Sequence, residues 1–224
     1  MLERLHANLL YLQSKGLSSL SVDTLLVAIA ANEAIDLRLL SSLCEAEDIL
    51  LNDLLEKDLS FRPKPIKLLV MDCDGVLTRG EMIVNQDGSS TKVFNVKDGM
   101  GIKLAQEAGM HTAIISAGTS TGIVESRAEH LGISHCYVGK RPKLAVLEEW
   151  LAELNLSLAQ VAYIGDDVND LPILEKAALA FCPKNAVPLV RKHQKVRVLK
   201  SNGGEGCLRE LVEEYLLAPR PELS

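Results

Sequence analysis

The sequence contains no apolar run long enough to cross a bilayer and no recognisable signal peptide, so a membrane protein is not expected. It also contains no basic stretch, and its 24 lysines and arginines are outnumbered by 30 aspartates and glutamates, for a net charge of −6. This charge argues against nucleic acid or an anionic membrane as a partner. The five cysteines show neither paired nor metal-ligand spacing, which argues against disulfides and favours a cytoplasmic location.

The 224 residues are enough for one hydrophobic core and a small additional unit. Residues 1–62 are predicted to be wholly helical, because leucine and isoleucine recur there at helical spacing. The segment 61–65, with two prolines, breaks this pattern, so we predict a helical N-terminal extension over 1–62 and a second domain over 63–224. The extension carries no recognisable motif. Its role stays open between a unit that packs on the core or on another subunit and a unit that senses a ligand.

From residue 66 onward, apolar stretches rich in β-branched residues alternate with helical stretches. This alternation predicts an α/β fold, a Rossmann-like parallel sheet with helices on both faces. The predicted strands are 66–72, 111–116, 135–138, 160–164, 178–181 and 195–199, and the predicted helices are 99–108, 121–131, 142–154, 168–176 and 206–217. Residues 80–97 are the exception and predict a β-hairpin with Asp87 and Gly88 at its turn.

Two aspartates, Asp72 and Asp74, come at the end of the first predicted strand and are the strongest functional signal. Residues at i and i+2 share one face of a strand end, so the two carboxylates lie close together and repel each other. A cation must then hold them together, and Mg²⁺ is the natural one for carboxylate ligands. One aspartate can attack an electrophile while the other transfers a proton.

Three further polar groups follow later strands of the predicted sheet. Ser116 closes one strand, Lys143 stands near the start of a helix after another, and residues 165–170 read Gly-Asp-Asp-Val-Asn-Asp after a third. Each signal alone has an ordinary explanation as a turn residue, a solvated charge or a helix cap. Together they predict one site, because ligands bind outside the carboxyl ends of parallel strands. A carboxylate pair, a hydroxyl, a lysine and a second acidic cluster are what phosphoryl transfer requires.

These motifs resemble the four signature motifs of the haloacid dehalogenase superfamily. The resemblance implies that Asp72 is the nucleophile and forms an aspartyl-phosphate. Asp74 would protonate the leaving oxygen and then activate water, while Ser116 and Lys143 would hold the phosphoryl oxygens. The family spacing selects Lys143 rather than Lys140 for this role.

The same resemblance implies a Mg²⁺ site. Its ligands would be Asp72, the backbone carbonyl of Asp74 and Asp166, while Asp170 and Asp167 would orient the groups around the metal. The chemistry agrees with these roles, because a carboxylate nucleophile needs a cation to offset its repulsion from the incoming phosphate. It also needs an acid for the leaving alkoxide.

Two more segments, 94–102 and 203–210, narrow the resemblance to the 3-deoxy-D-manno-octulosonate 8-phosphate phosphatase subfamily, which includes N-acylneuraminate 9-phosphate phosphatases. The substrate implied is a small phosphorylated sugar acid, either of the octulosonate 8-phosphate type or of the neuraminate 9-phosphate type. Members of this subfamily lack a large cap domain and close the site with a neighbouring subunit's hairpin, usually in a tetramer. Residues 80–97 would be that hairpin in a homo-oligomer. Asp98, Gly99 and Arg209 would bind substrate. For Arg209 the alternative is an ordinary charged residue on a helix surface.

The sequence departs from the subfamily after Ser116. The usual Thr-Gly-Arg is replaced by Ser116-Ala117-Gly118, so an arginine suited to a phosphate or a sugar-acid carboxylate is missing. Arg127, Lys140 and Arg141 are candidates to replace it. The alternative to a phosphatase is a non-catalytic assembly or regulatory module of the same superfamily.

Overall fold

The computed structural model describes residues 2–14, 20–46, 51–56, 66–118 and 121–217. These residues form two compact units, whose described parts lie within 2–56 and 66–217. The predicted domain boundary at 62–63 falls outside the described residues and stays a prediction. In the described part of the chain, no helix combines the length and the hydropathy needed to cross a membrane.

The first unit is helical, as predicted. Its described helices are α1 (Leu2–Ser14), α2 (Leu20–Ala30), α3 (Leu37–Ala46) and α4 (Leu51–Glu56). Leu5, Leu9 and Leu12 share one face of α1 and pack with Leu54 of α4 in an apolar core. Buried Asn8 donates from Nδ2 to the carbonyl oxygen of Leu54 at 2.7 Å, so this polar group inside the core has a partner.

The second unit contains the predicted parallel sheet. The strands are β1 (Leu68–Met71), β2 (Ile83–Val84), β3 (Ser90–Thr91), β4 (His111–Ser116), β5 (His135–Val138), β6 (Val161–Ile164), β7 (Leu179–Cys182) and β8 (Val196–Val198). Six of them pair in the order β5-β4-β1-β6-β7-β8, and every pair is parallel. All four residues of β1 are fully buried, which fits a central strand covered on both faces.

Helices cover both faces of the sheet, as predicted. They are α5 (Val96–Glu107), α6 (Thr121–His130), α7 (Lys143–Glu153), α8 (Leu171–Leu174), α9 (Pro188–Arg191) and α10 (Cys207–Leu211), the last continued by a wider turn over Val212–Leu216. Leu68 and Val70 pack into one core with α7, α8 and α9, whereas α5 packs against β4 and α10. The short helix α9 was not predicted. Helix α5 begins three residues earlier than predicted, because the side chain of Asn95 caps it by accepting from the N–H of Lys97 at 2.8 Å.

The predicted hairpin is present but shorter than 80–97. Strands β2 and β3 pair antiparallel, with Ile83 opposite Thr91. Gly88 adopts a φ of +80° at the turn, and the carboxylate of Asp87 accepts from the N–H of Ser89 at 2.9 Å. Its paired residues end at Thr91, and residues from Val96 onward belong to α5.

The strand order reverses at β1, which has β4 on one side and β6 on the other. In such sheets a crevice opens at the carboxyl ends of the strands where the order reverses. The backbone N–H of Asp72 donates to the carbonyl of Ile164 at 3.0 Å, so the chain stays paired to β6 up to the first aspartate. The ends of β1, β4 and β6 therefore bring their following residues to one place.

Candidate active site

Asp72 and the loop after it form the floor of the site. The Oδ1 atom of Asp72 accepts from the N–H of Cys73 at 2.7 Å, and its side chain is buried. Gly75 then turns the chain at a φ of +88°. A Cβ on Gly75 would lie 2.1 Å from Oδ2 of Asp166, so a residue without a side chain is required there. The loop can therefore approach the acidic cluster that follows β6.

Lys143 joins the first aspartate to that cluster. Its Nζ lies 2.9 Å from Oδ1 of Asp72 and 2.7 Å from Oδ1 of Asp170. Burial disfavours the charged ammonium, but Asp72 and then Asp170 outweigh it and raise the pKa of Lys143. Lys143 is therefore a buried cation that links two carboxylates at the base of the crevice.

Asp170 supports its neighbours rather than facing a ligand. Besides Lys143, Oδ1 accepts from the hydroxyl of Tyr163 at 2.5 Å, and Oδ2 accepts from the backbone N–H groups of Asp166 and Asp167 at 3.0 and 3.2 Å. Both oxygens are thus occupied, which fits the predicted orienting role. Tyr163 was not predicted as part of the site. The signal that could have indicated it is its place in a strand of buried residues, because the hydroxyl of a buried tyrosine needs a hydrogen-bond partner.

The acidic cluster has the donor set of a divalent cation site. Asp72, Asp166 and Asp170 each offer a carboxylate oxygen, and these oxygens lie within 4.8 Å of one another. Among the described residues, the buried Oδ1 of Asp166 has no hydrogen-bond partner. A buried unpaired carboxylate oxygen is costly, and hard oxygen ligands suit Mg²⁺. Because the oxygens of Asp170 are already engaged, Asp72 and Asp166 are the residues here that fit the predicted metal.

Burial followed by the charge of Asp170 raises the pKa of Asp72 to about 8, although Lys143 opposes this shift. Burial followed by Asp170 and Asp167 raises the pKa of Asp166 to about 6. Both values lie above the ordinary aspartate pKa of about 3.9. Each group therefore stabilises the metal-free fold below about pH 4, and this contribution is lost as the pH rises through the folded-state pKa. A bound cation favours the charged forms and offsets the loss.

We therefore expect millimolar MgCl₂ to raise the melting temperature by about 3–5 °C near pH 8 and by less than about 1 °C near pH 5. The reason is that the cation must displace protons from Asp72 and Asp166 at the lower pH. Differential scanning calorimetry with KCl of matched ionic strength separates binding from screening. Equal shifts at the two pH values would contradict this linkage.

Ser116 and the loop after it form the opposite wall. Ser116 ends β4, is buried, and accepts at Oγ from the N–H of Gly118 at 3.1 Å. The cavity between these walls has a volume of about 220 Å³ and is lined by Asp72, Asp74, Ser116, Ala117, Gly118, Asp166, Asp167 and Asn169. Asp167, predicted to assist at the metal, is exposed and caps the turn after it by accepting from the N–H of Val168 at 2.6 Å. Residues 119–120 of the loop lie outside the described residues.

The predicted substrate residues Asp98 and Gly99 occupy structural positions. The carboxylate of Asp98 is buried and accepts from the N–H groups of Gly206 and Leu208 at 3.0 and 2.8 Å, so it holds the start of α10, and its contact with substrate stays a prediction. A Cβ on Gly99 would lie 2.7 Å from a guanidinium nitrogen of Arg127, so Gly99 provides space for that arginine. The contacts of Asp98 link residues more than 100 positions apart, so no local pattern could indicate them.

Arg209 forms an i,i+4 pair with Glu213 at 2.5 Å on α10 and the turn after it. This contact fits the alternative of an ordinary helix charge, and substrate contact stays a prediction. Of the three candidates for the missing arginine, Arg141 is engaged by Glu149 and Lys140 is exposed. Arg127 lies over the ring of Phe94, and its buried Nε has no hydrogen-bond partner in the described part of the chain.

The glycine-rich tail packs in cis against the loop after Asp72. The N–H of Gly204 donates to the carbonyl of Val76 at 2.8 Å, and the N–H of Gly203 donates to Oδ1 of Asn185 at 2.9 Å. A Cβ on Gly203 would lie 1.7 Å from the carbonyl oxygen of Gly75. The tail therefore supports the loop that carries Asp74, and it does so through backbone contact that tolerates no side chain.

Replacing Gly203 by alanine should displace this loop. We expect the free energy of unfolding to fall by about 1–3 kcal/mol and kcat/KM for a phosphomonoester to fall about 100-fold. Chemical denaturation and steady-state kinetics measure the two effects. Gly122→Ala is the control for stability, because a Cβ on Gly122 of α6 meets no atom within 4 Å. Equal unfolding free energies for the two variants would show that the tail does not press on the loop.

Comparison with known proteins agrees with this geometry. A family model of the haloacid dehalogenase-like hydrolases matches residues 119–211, which include Lys143, Asp166 and Asp170. The 3-deoxy-D-manno-octulosonate 8-phosphate phosphatase KdsC of Escherichia coli is 37% identical over 161 residues, which cover 72% of this chain and 85% of that protein. The chain belongs to the haloacid dehalogenase-like hydrolases.

Solved structures of this family share the fold of the second unit. The 3-deoxy-D-manno-octulosonate 8-phosphate phosphatase from Yersinia pestis matches with a TM-score of 0.65 and 37% identity, over 68% of this chain and 82% of that one. The same enzyme from Moraxella catarrhalis, in complex with magnesium ion, phosphate ion and KDO, matches with a TM-score of 0.64 and 37% identity, over 67% and 85%. Within the haloacid dehalogenase-like hydrolases, this chain is a phosphatase similar to the KdsC enzymes.

Proposed function

We propose that this chain is a Mg²⁺-dependent phosphatase for 3-deoxy-D-manno-octulosonate 8-phosphate or a closely related sugar-acid ester, acting through an aspartyl-phosphate on Asp72. The observation that carries the proposal is that Asp72, Lys143 and Asp166 meet in one crevice, where Oδ1 of Asp166 has no hydrogen-bond partner among the described residues. The identity to KdsC enzymes over most of the chain supports the substrate class.

The reaction proceeds in two halves. In the first, a carboxylate oxygen of Asp72 attacks phosphorus, the bond between phosphorus and the sugar oxygen breaks, and Asp74 gives that oxygen a proton. In the second, a water oxygen attacks the phosphorus of the aspartyl-phosphate and Asp74 accepts its proton. The bond from phosphorus to Asp72 then breaks and releases inorganic phosphate. Ser116 and Lys143 hold the phosphoryl oxygens during both halves.

Asp72, Asp166 and the backbone carbonyl of Asp74 would hold the Mg²⁺, which would neutralise charge on the phosphoryl oxygens. The chain's own residues prepare this place. Gly75 leaves room for Asp166, and Asp170 fixes the backbone of Asp166 by accepting its N–H at 3.0 Å.

Arg127 is our candidate for the cation that meets the sugar-acid carboxylate. Its side chain lines an open surface depression of about 590 Å³ with Phe94, Ser126 and His130, and its buried Nε has no hydrogen-bond partner among the described residues. An arginine with an unpaired donor is suited to a carboxylate, since the guanidinium can bind it through two hydrogen bonds.

We also propose that the phosphatase works as a homo-oligomer. Met82, Ile83 and Val84 on the hairpin are 63%, 52% and 65% exposed, and such adjacent apolar side chains favour contact with another surface. Size-exclusion chromatography with light scattering would give the subunit number. A monomer at micromolar concentration would refute this part of the proposal.

Phosphate release with Mg²⁺ from a panel of sugar phosphates tests the function. The panel should contain octulosonate 8-phosphate, neuraminate 9-phosphate and glucose 6-phosphate, which lacks a carboxylate. We expect kcat/KM for the octulosonate ester to exceed that for glucose 6-phosphate at least about 100-fold, because losing a charged contact typically costs about 2–5 kcal/mol. If no ester on the panel is hydrolysed, the regulatory alternative is favoured.

A further inference from the structure

Lys92 is a buried lysine on an otherwise exposed hairpin. It directly follows β3, yet its side chain is only 3% exposed. Its ammonium pairs with Oδ1 of Asp74, and this contact accounts for its burial, because lysine is almost never fully buried unless it is paired. Nothing in the sequence pattern indicated this residue, since the hairpin could be predicted but not the direction of its side chains.

The pairing leaves the two oxygens of Asp74 in different surroundings. Oδ1 is engaged by Lys92, whereas Oδ2 faces the loop after β4. A Cβ built on Gly118 would lie 3.1 Å from Oδ2 of Asp74 and 3.2 Å from Oγ of Ser116. Asp74, Ser116 and Gly118 line the same cavity. Oδ2 is therefore the oxygen that points to the place where a phosphoryl group would be held.

We propose that Lys92 is a positioning residue that fixes Asp74 with Oδ2 toward the leaving oxygen, and that it acts within its own chain. The inference rests on the proposed function, in which Asp74 is the proton donor. In this step the proton on Oδ2 passes to the sugar oxygen as the bond from that oxygen to phosphorus breaks. Lys92 keeps its own proton and forms no covalent bond.

This role differs from direct binding of phosphate by the lysine. A phosphate-binding lysine would help every substrate alike, because all of them carry the same phosphoryl group. A residue that aims the proton donor matters only when the leaving oxygen needs a proton. Sugar alkoxides need one, whereas nitrophenolate is a stable anion and leaves without it.

Single-turnover kinetics of Lys92→Met on the best sugar phosphate and on p-nitrophenyl phosphate separates the two roles, because it reports the transfer to Asp72 alone. We expect the rate to fall about 100-fold on the sugar phosphate and less than about 5-fold on the aryl phosphate, with KM on the sugar phosphate changed less than about 3-fold. Lys92→Arg should recover most of the sugar phosphate rate. Lys103→Met, an exposed lysine on α5, is the matched control.

Equal losses on the two substrates, a rise in KM alone, or no loss would each overturn the proposal. Melting temperatures of Lys92→Met and Lys92→Arg show whether a loss reflects unfolding. Wild-type turnover and its absence in Asp72→Asn report on the proposed function, while the ratio of the two Lys92→Met losses reports only on Lys92.

Co-expression of Lys92→Met and Asp72→Asn chains with different affinity tags tests whether the lysine acts in cis. If it served a neighbouring subunit, mixed oligomers would combine an intact Asp72 from one chain with an intact Lys92 from the other and regain activity. We expect turnover no higher than that of Lys92→Met alone. Recovery to a quarter or more of the wild-type rate would refute action in cis.

Discussion

Replacing Asp72 by asparagine is expected to lower kcat on a sugar phosphate by at least about 10⁴-fold, because the side chain loses the oxygen nucleophile while keeping its shape. The fold should survive. Burial already raises the pKa of Asp72, so a neutral side chain removes an unfavourable charge from the metal-free protein. Phosphate release and thermal unfolding, measured on the same preparation, separate loss of chemistry from loss of structure.

Asp167→Asn is the matched control, since Asp167 lines the same cavity but is exposed. It should keep kcat within about 10-fold, because its side chain caps a turn and touches neither Asp72 nor Lys143 among the described contacts. Rapid acid quench followed by mass spectrometry should detect a phosphorylated chain in the wild type and none in Asp72→Asn. Full turnover by a rigorously purified Asp72→Asn chain would rule out the aspartyl-phosphate route.

Replacing Lys143 by methionine should produce the second large effect. Lys143 is the cation between Asp72 and Asp170, and its removal leaves two buried carboxylates facing each other. We expect the free energy of unfolding without metal to fall by about 3–5 kcal/mol near pH 8. With Mg²⁺ we expect kcat to fall about 10³-fold, since a charge that holds the transferring phosphoryl group is lost.

For Mg²⁺ binding by Lys143→Met we expect a gain, in contrast to the losses of stability and of kcat. With one positive charge fewer beside Asp72, the cluster attracts a divalent cation more strongly, so Mg²⁺ should raise the melting temperature of Lys143→Met by more than that of the wild type. Lys140→Met is the control, because Lys140 is exposed near the same helix. Weaker Mg²⁺ stabilisation of Lys143→Met together with an unchanged kcat would show that the lysine does not act on the site as described.

The central arrangement of the site could be predicted from the sequence, and the reason is physical. Strands of a parallel sheet end at one edge, so recognising the strands before Asp72, Ser116 and Asp166 was enough to predict that these residues meet. Lys143 joins them from the start of α7. Because β1 lies between β4 and β6 in the sheet, Asp72 lies between Ser116 and Asp166.

Contacts made over long sequence distances were not predictable in this way. Asp98 resembled a substrate ligand because of its segment, but its role is set by Gly206 and Leu208 far along the chain. Lys92 contacts Asp74 because of the orientation of the hairpin relative to the sheet, and no pattern of residue types predicts that orientation. By contrast, the early start of α5 had a readable local signal, since Asn95 is a favourable N-cap.

The pairing of the tail with the loop after Asp72 also sets an order of events during synthesis on the ribosome. Gly204 donates to Val76, so the loop is held by a residue made more than 100 positions later. At about 5–20 residues per second, Gly204 is added roughly 6–26 s after Asp74. The helices before residue 57 make their contacts locally and can form earlier in the nascent chain. The loop that carries Asp74 is therefore one of the last parts of the second unit to be completed, and a chain interrupted before the tail is expected to be an inactive phosphatase.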